Sequence, residues 1–371
     1  SLGPKNSDFQ IPAIQITDSA YVMHSEELLY RNAFDVFLNP LNRRPFLFVH
    51  SMGELENGVS KNVDKRRIVI DVDDGIAYSI NTQYAGNTVG LKKLALRLGI
   101  SLGINGGFLM EHMLLVGINN GNRRSYFAGA YPSMCGKTST AMMPGEALVG
   151  DDIAILRKVN GEVRAVNVDK GVFGVLDGIN SVDDPIIWGV LHSQAEVIYS
   201  NALLTPEGIV RWNGDGLKEP DAGINFAGKW KPGMQMSNPN ARFTVSLQNF
   251  PNLDPEYDNP AGVPVKGIVY GGRDYDTWVP VQESFNWAHG VIVYGASIES
   301  HSTAATLGRS DVREISPMAI LDFLSVNIGD YLKHYIDFGT NLKDPPKIFA
   351  VNYFLKDDQN KYLTEKSDKR I

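Results

Sequence analysis

Apolar residues recur at helical spacing from Ser25 to Leu38, which predicts an amphipathic helix there. Ile11–Ile16 reads as a short strand before it, and Phe46–His50 as a buried strand after it. Ile68–Val72 and Ile76–Ile80 flank Asp73-Asp74-Gly75, whose turn chemistry predicts a β-hairpin. The turn-rich stretch YAGNTVG (84–90) gives way to an apolar periodicity over Leu91–Leu102, a second predicted helix. From Met113 the pattern becomes βαβ. Leu114–Ile118 and Tyr126–Gly129 read as strands joined by the turn Asn119–Arg123, followed by a glycine-bearing loop and a short helix starting near Lys137. The strand Ala147–Gly150 then runs into two aspartates. A strand-rich stretch follows to about residue 300, then a predicted helix over Ser316–Ile328 entering GDYLKHY, and a late strand at Lys347–Phe354. Strands mixed with helices around a βαβ unit predict an α/β fold of two lobes with mixed sheets. The division falls near residue 110, giving lobes 1–110 and 111–371.

Charge narrows the partners. Lys and Arg total 35 against 42 Asp and Glu, a net charge of −7, which argues against a general nucleic-acid or membrane-surface binder. An anionic small molecule needs only a locally basic pocket. A single cysteine, Cys135, leaves no internal disulfide and fits a reducing, cytoplasmic compartment. No apolar run is long enough to suggest a membrane span. Neither the opening SLGPKNSDFQ nor the closing KYLTEKSDKRI carries a start or stop signal, and both read as cut points.

The strongest chemical signal is YPSMCGKTSTAMM (131–143) followed by LVGDDIAIL (148–156). Gly136-Lys137-Thr138 at a strand-to-helix junction offers backbone N–H groups to a phosphate, with Lys137 as a point charge and the Thr138 hydroxyl as a Mg²⁺ ligand. The strict Walker pattern needs glycine at 131, which here is Tyr131. Gly-Lys-Thr alone is equally the start of an ordinary helix. Asp151-Asp152 at the end of the next strand, where a metal-binding acid belongs, favours the phosphate reading. Lys92-Lys93 and His112 on their own read as a solvated face and a packed histidine. Arg242 in NPNAR and Arg273 in YGGRDYD suit bidentate carboxylate or phosphate contact, with glycines letting the backbone come close; taken alone, each reads as a surface turn.

Together these segments resemble the GTP-dependent phosphoenolpyruvate carboxykinases, in order and along nearly the whole chain. The matching pieces include ITDSAYV (16–22), YAGN with GLKKLALR (84–97), EHMLLVGI (111–118), YPSMCGKT, VGDDIA (149–154), NPNARF (238–243), VYGGRDYDTWVPV (269–281), WAHGVIVYGASIES (287–300) and KIFAVNYF (347–354). The resemblance implies a two-lobed fold with a variant P-loop and the interconversion of oxaloacetate with phosphoenolpyruvate and CO2. It implies Lys93, His112 and Asp152 as ligands of a catalytic Mn²⁺. Tyr84, Gly86, Asn240 and Arg242 would hold the substrate. Ser133, Met134, Cys135, Gly136, Lys137 and Thr138 would form the phosphate loop, with Thr138 and Asp151 near the Mg²⁺ of the donor. Arg273 would bridge substrate and donor, and Phe354, with Tyr353 and Tyr362, would lie beside a base. Lys93, Cys135, Lys137, Arg242 and Arg273 are the implied catalytic side chains. Oxaloacetate would lose CO2 to a metal-stabilised enolate, which then attacks the terminal phosphoryl group. SIESHSTAATLGRS (297–310) resembles the mobile lid of the family.

The departures also carry expectations. Family members are longer, and the part missing here supplies an arginine that grips the substrate. Ala85 replaces a glycine, and Asp274 stands where the family has a second arginine after Gly-Gly-Arg. After Leu363 the Trp-Pro-Gly-Phe wall of the base pocket gives way to TEKSDKR. A phosphate loop without that wall points to pyrophosphate rather than GTP as donor. The alternative from a different class is a catalytically incomplete fragment that acts as a phosphate- and metal-binding module.

Overall fold

The Asp73-Asp74-Gly75 turn closes its hairpin as its chemistry requires: Gly75 takes φ +67°, and Asp71 Oδ1 accepts the amide of Asp74 at 2.9 Å. The computed structural model describes residues 1–38, 44–56, 59–83, 91–132, 135–301 and 312–363. In it, strands β1 (Ala13–Thr17), β2 (Phe46–Ser51), β3 (Arg67–Asp71) and β4 (Ile76–Ile80) form one sheet in the order β1-β2-β4-β3. The β1–β2 and β2–β4 pairs are parallel, and only the hairpin partner β3 runs antiparallel. Helix α1 (Ala20–Leu29) begins at Ser19, whose side chain accepts the Val22 amide at 3.3 Å.

The single helix expected over Ser25–Leu38 is broken. Tyr30 is extended, and the next helical turn spans Phe34–Leu38. One local bond marks the restart: Asn32 Oδ1 accepts the Phe34 amide at 2.9 Å.

The chain divides into two compact units, Ser1–Leu2, Ile11–Leu94 and Asp169–Pro251 in the first, Gly3–Gln10, Ala95–Val168 and Asn252–Ile371 in the second. By contacts, residues 169–251 return to the first unit. There, Gly171–Val175, Arg242–Ser246 and Val197–Ser200 make an antiparallel sheet under α1. The approach is close: a Cβ on Gly171 would lie 2.5 Å from the Leu28 carbonyl oxygen.

Helix α2 (Leu91–Gly106) carries the chain from the first unit into the second. The second unit is built on β5 (Leu109–Glu111), β6 (Leu114–Asn120), β7 (Arg123–Ala130), helix α3 (Lys137–Ala141), β8 (Ala147–Gly150), β9 (Ala154–Val159), β10 (Glu162–Asn167) and β11 (Val263–Gly272). They run in the order β8-β6-β7-β11-β10-β9-β5. The hairpin β12 (Glu299–His301) and β13 (Arg313–Ile315), helix α4 (Ile328–Thr340) and β14 (Lys347–Asn352) complete it, with β14 parallel to β11. Because β8 and β7 are each antiparallel to β6, they point the same way, so the loops at their carboxyl ends open on one side of the sheet.

The helix expected over Ser316–Ile328 does not form. Two short 3₁₀ turns, Pro317–Ala319 and Leu321–Phe323, occupy its place, and Met318 and Ala319 both take positive φ (55° and 52°). The helix begins only at α4, where Asn327 Oδ1 accepts the Gly329 amide at 2.8 Å. Among the described residues no helix is long and apolar enough to cross a membrane.

Candidate active site

The loop between β7 and α3 shows how this chain does without the Walker glycine. Tyr131 is fully buried, with its ring stacked on Tyr353 (centroids 6.2 Å apart, planes 20° apart) and the two hydroxyls 3.2 Å apart. Room for that ring comes from Gly271, where a Cβ would fall 2.1 Å from a ring carbon of Tyr131. Gly272 is tight for another reason, since its Cβ would meet the Glu299 carbonyl oxygen at 2.6 Å. Both glycines before Arg273 thus admit protein rather than ligand. Replacing Gly271 with alanine should overpack this buried contact, at a cost of about 1–3 kcal/mol. Thermal denaturation of Gly271→Ala should show a lowered midpoint, and an unchanged one would refute the steric argument.

Past Tyr131 the Cys135 amide bonds to the Pro132 carbonyl at 3.1 Å, and the chain enters α3 through Gly136 at φ +100°. That angle suits glycine and disfavours any side chain. Ser133 and Met134 lie outside the described residues, as do Tyr84 and Gly86 and the 302–310 part of the lid-like segment. The Cys135 thiol is buried, and burial pushes its pKa up despite Ser300 and Arg273 nearby. It is a packed thiol, 3.3 Å from Ser300 Oγ, rather than a ready thiolate.

Lys137, the first residue of α3, reaches the site's central pair. Its Nζ is 2.8 Å from His112 Nε2 and contacts the Asp152 carboxylate, while His112 Nε2 and Asp152 Oδ1 are 3.0 Å apart. Strand pairing places the two partners: Glu111, the last residue of β5, sits opposite Ala154, the first of β9, so His112 and Asp152 emerge from adjacent chain ends. Gly150 lets the β8 exit pass, since a Cβ there would lie 2.1 Å from the Asn167 side chain. Asp151 is buried beside Asp152, and Thr138 follows Lys137.

The orientation of His112 has its own support. Nδ1 is 3.3 Å from the Ala319 carbonyl oxygen. A carbonyl only accepts, so Nδ1 carries a proton, and Nε2 faces Lys137 and Asp152. Phe323 packs edge-on against the imidazole at 4.9 Å and is itself covered by the Arg97 guanidinium at 5.3 Å. The left-handed Met318-Ala319 turn is therefore the backbone that aims this carbonyl. On the other side of β5, Glu111 is buried and accepts the Tyr331 hydroxyl at 2.6 Å. Burial pushes its carboxyl up to about 8.

Arg273 forms the second cluster. Its amide donates to Ser300 Oγ at 3.1 Å, its carbonyl accepts the His301 amide at 2.8 Å, and its guanidinium lies 4.1 Å over the Phe354 ring. Phe354 meets Tyr362 edge-on at 6.2 Å. Of the expected aromatic pair, Tyr353 is thus committed to Tyr131, and Phe354 to Arg273.

The remaining expected residues lie in the first unit. Lys92 is buried against Asp169 at 2.8 Å, so it is not on the solvated face it reads as on its own; Lys93 is partly exposed. Arg242 lies 5.6 Å over the Phe173 ring, and Asn240 is exposed in the turn before it. Sequence reasoning missed Ala319, Phe323 and Ser300. Only Ser300 had a signal, since it lies within a segment that resembles the family.

Two family models match, the phosphoenolpyruvate carboxykinase N-terminal domain over residues 1–104 and the phosphoenolpyruvate carboxykinase C-terminal P-loop domain over residues 108–365. The chain belongs to the phosphoenolpyruvate carboxykinase family. It is 58% identical to phosphoenolpyruvate carboxykinase (GTP) of Pyrococcus furiosus, across 100% of this chain and 61% of that protein. The enzyme of the same name from Saccharolobus solfataricus is 52% identical over 100% of this chain and 60% of its own length. That of Chlamydia trachomatis is 37% identical over 98% and 63%. The chain thus spans about 61% of the length of the Pyrococcus furiosus relative. The mixed α/β architecture and P-loop unit agree with this family. The relatives carry GTP in their names and give no support to the pyrophosphate expected from the altered aromatic wall.

Proposed function

We propose that this chain carries the catalytic core of an enzyme interconverting oxaloacetate with phosphoenolpyruvate and CO2, with GTP and GDP as phosphoryl donor and acceptor. The observation that carries the reading is the meeting of His112, Asp152 and Lys137 beside the P-loop. The names of relatives 52–58% identical supply the donor.

A divalent ion fits the donor set. The Lys137 side-chain nitrogen already sits against His112 Nε2 and the Asp152 carboxylate, so that pair accepts a cation. We assign Mn²⁺ to Lys93, His112 and Asp152, and Mg²⁺ with the donor phosphates to Thr138 and Asp151. When bound, the Mn²⁺ withdraws charge from the enolate oxygen.

The other steps fall to the chain's own groups. Arg242 and Asn240, with Tyr84 and Gly86, hold the dicarboxylate. The loop Ser133–Thr138 cradles the phosphates. Lys137 and Arg273 neutralise charge on the transferring phosphoryl group, the former from the start of α3 and the latter braced on Phe354. Incubating the protein with oxaloacetate, GTP and Mn²⁺ should produce phosphoenolpyruvate and GDP in a coupled assay, and omitting GTP should stop it. Absence of phosphoenolpyruvate under these conditions would sink the reading.

A further inference from the structure

Asp274 stands where the resemblance expects an arginine, yet it is only 2% exposed. Its Oδ1 accepts the amides of Asp276 (3.0 Å) and Thr277 (2.7 Å), and its Oδ2 accepts the Thr277 hydroxyl. Burial alone would raise its pKa, but these donors outweigh burial and hold the carboxyl below the usual range. The loop that follows is pinned as well: Asn352 Nδ2 donates to the carbonyls of Asp274 (2.9 Å) and Trp278 (3.2 Å).

The charge partner is Arg313, on β13. Its guanidinium contacts Asp274 Oδ2 and the Thr277 hydroxyl, and its Nε lies 3.2 Å from Glu299 at the start of β12. Arg313 pairs in register with His301, and His301 and Ser300 are the residues that hold the carbonyl and amide of Arg273. One arginine side chain therefore joins the strand that grips Arg273 from one side to the carboxylate that follows it in sequence. An arginine at 274 would repel Arg313 and could not accept the loop amides. The acid at 274 is thus part of a local arrangement with Arg313, and its presence does not signal loss of the donor site.

We infer that Asp274 and Arg313 are positioning residues that fix Arg273 for the phosphoryl donor. This rests on the carboxykinase reading above. Arg273 faces Cys135 of the phosphate loop through Ser300, so a loosened 273–278 turn misplaces the guanidinium where donor charge develops, while the substrate-binding residues Arg242 and Asn240 lie on other strands and loops.

Steady-state kinetics of Arg313→Ala, Asp274→Asn and the double variant test this. Each single change should raise the KM for GTP about tenfold and leave the KM for oxaloacetate within about twofold. The double variant should be no worse than either single, because both break one interaction. Arg313→Lys should restore part of the loss by keeping the charge. Three results overturn the inference: an unchanged KM for GTP, equal rises in both KM values, or additive losses in the double variant. If a variant melts early, GDP affinity measured by calorimetry below its transition gives the same comparison, and unchanged affinity overturns the inference. Failure of the wild-type protein to form phosphoenolpyruvate overturns instead the reading beneath it.

Discussion

Lys137→Ala is expected to lower phosphoenolpyruvate formation from oxaloacetate and GTP by about three orders of magnitude, while pyruvate formation by simple decarboxylation is retained. The separation follows from where the ammonium sits. Lys137 stands at the exit of the phosphate loop, so phosphoryl transfer loses a preorganised positive charge, and groups of that kind are worth about 10²–10³ or more in rate. Decarboxylation needs the enolate stabilised, and His112 and Asp152, the proposed ligands of the Mn²⁺ that would supply that charge, remain in the variant. The variant also removes the cation from between those two side chains, so their contact at 3.0 Å becomes freer to rearrange. Parallel assays for phosphoenolpyruvate and pyruvate distinguish the outcomes. Equal loss of both products would mean that Lys137 serves chiefly to hold His112 and Asp152, and the phosphate role assigned to it would fail.

The largest effect expected on stability comes from Glu26, on α1. Its carboxyl is pushed up to about 8 by burial alone, and its Oε1 is buried with no hydrogen-bond partner among the described residues. A folded-state pKa above the unfolded value means that the folded protein holds the extra proton. The protonated form is therefore tolerated below about pH 4.5, and stability falls as pH rises from there to about 8, then levels off. The displacement corresponds to about 5 kcal/mol at full burial, and partial exposure reduces this to about 3 kcal/mol. Glu26→Gln should match the wild type near pH 5 and exceed it in denaturation midpoint at pH 8. Some decline with pH will persist in the variant, because the buried Glu111 shifts in the same direction. Parallel curves for the two proteins would show that Glu26 does not carry the effect.

Much of the second unit was legible because its signals are local. Short apolar runs around a Gly-Lys-Thr junction and an Asp-Asp pair define β6, β7, α3 and β8 with little ambiguity. The hairpin at 67–80 was legible for the same reason, a turn triplet between two β-branched runs. The failures have specific causes. Helical periodicity continues through Tyr30–Ala33, but the Asn32 side chain takes the Phe34 amide and starts a new turn, which apolar spacing does not register. At 316–328 the composition permits a helix, and tertiary placement of the Ala319 carbonyl against His112 imposes left-handed backbone instead. Lys92 and Lys93 look alike in sequence, and only the fold separates a buried partner of Asp169 from a partly exposed neighbour. Arg313 offered no motif at all; its meaning appears once β12 and β13 are paired.

The exchange of space between Tyr131 and Gly271 bears on how such proteins can be redesigned or can diverge. Repairing position 131 to the glycine of ordinary phosphate loops would leave a void the size of a tyrosine ring in a fully buried place, and would strip Tyr353 of its stacking partner. Enlarging 271 alone would collide with that ring. Each route to a conventional loop passes through a damaged intermediate, and only a paired change avoids it. Libraries that vary one position at a time will score both sites as immutable, although the two together form a single adjustable joint.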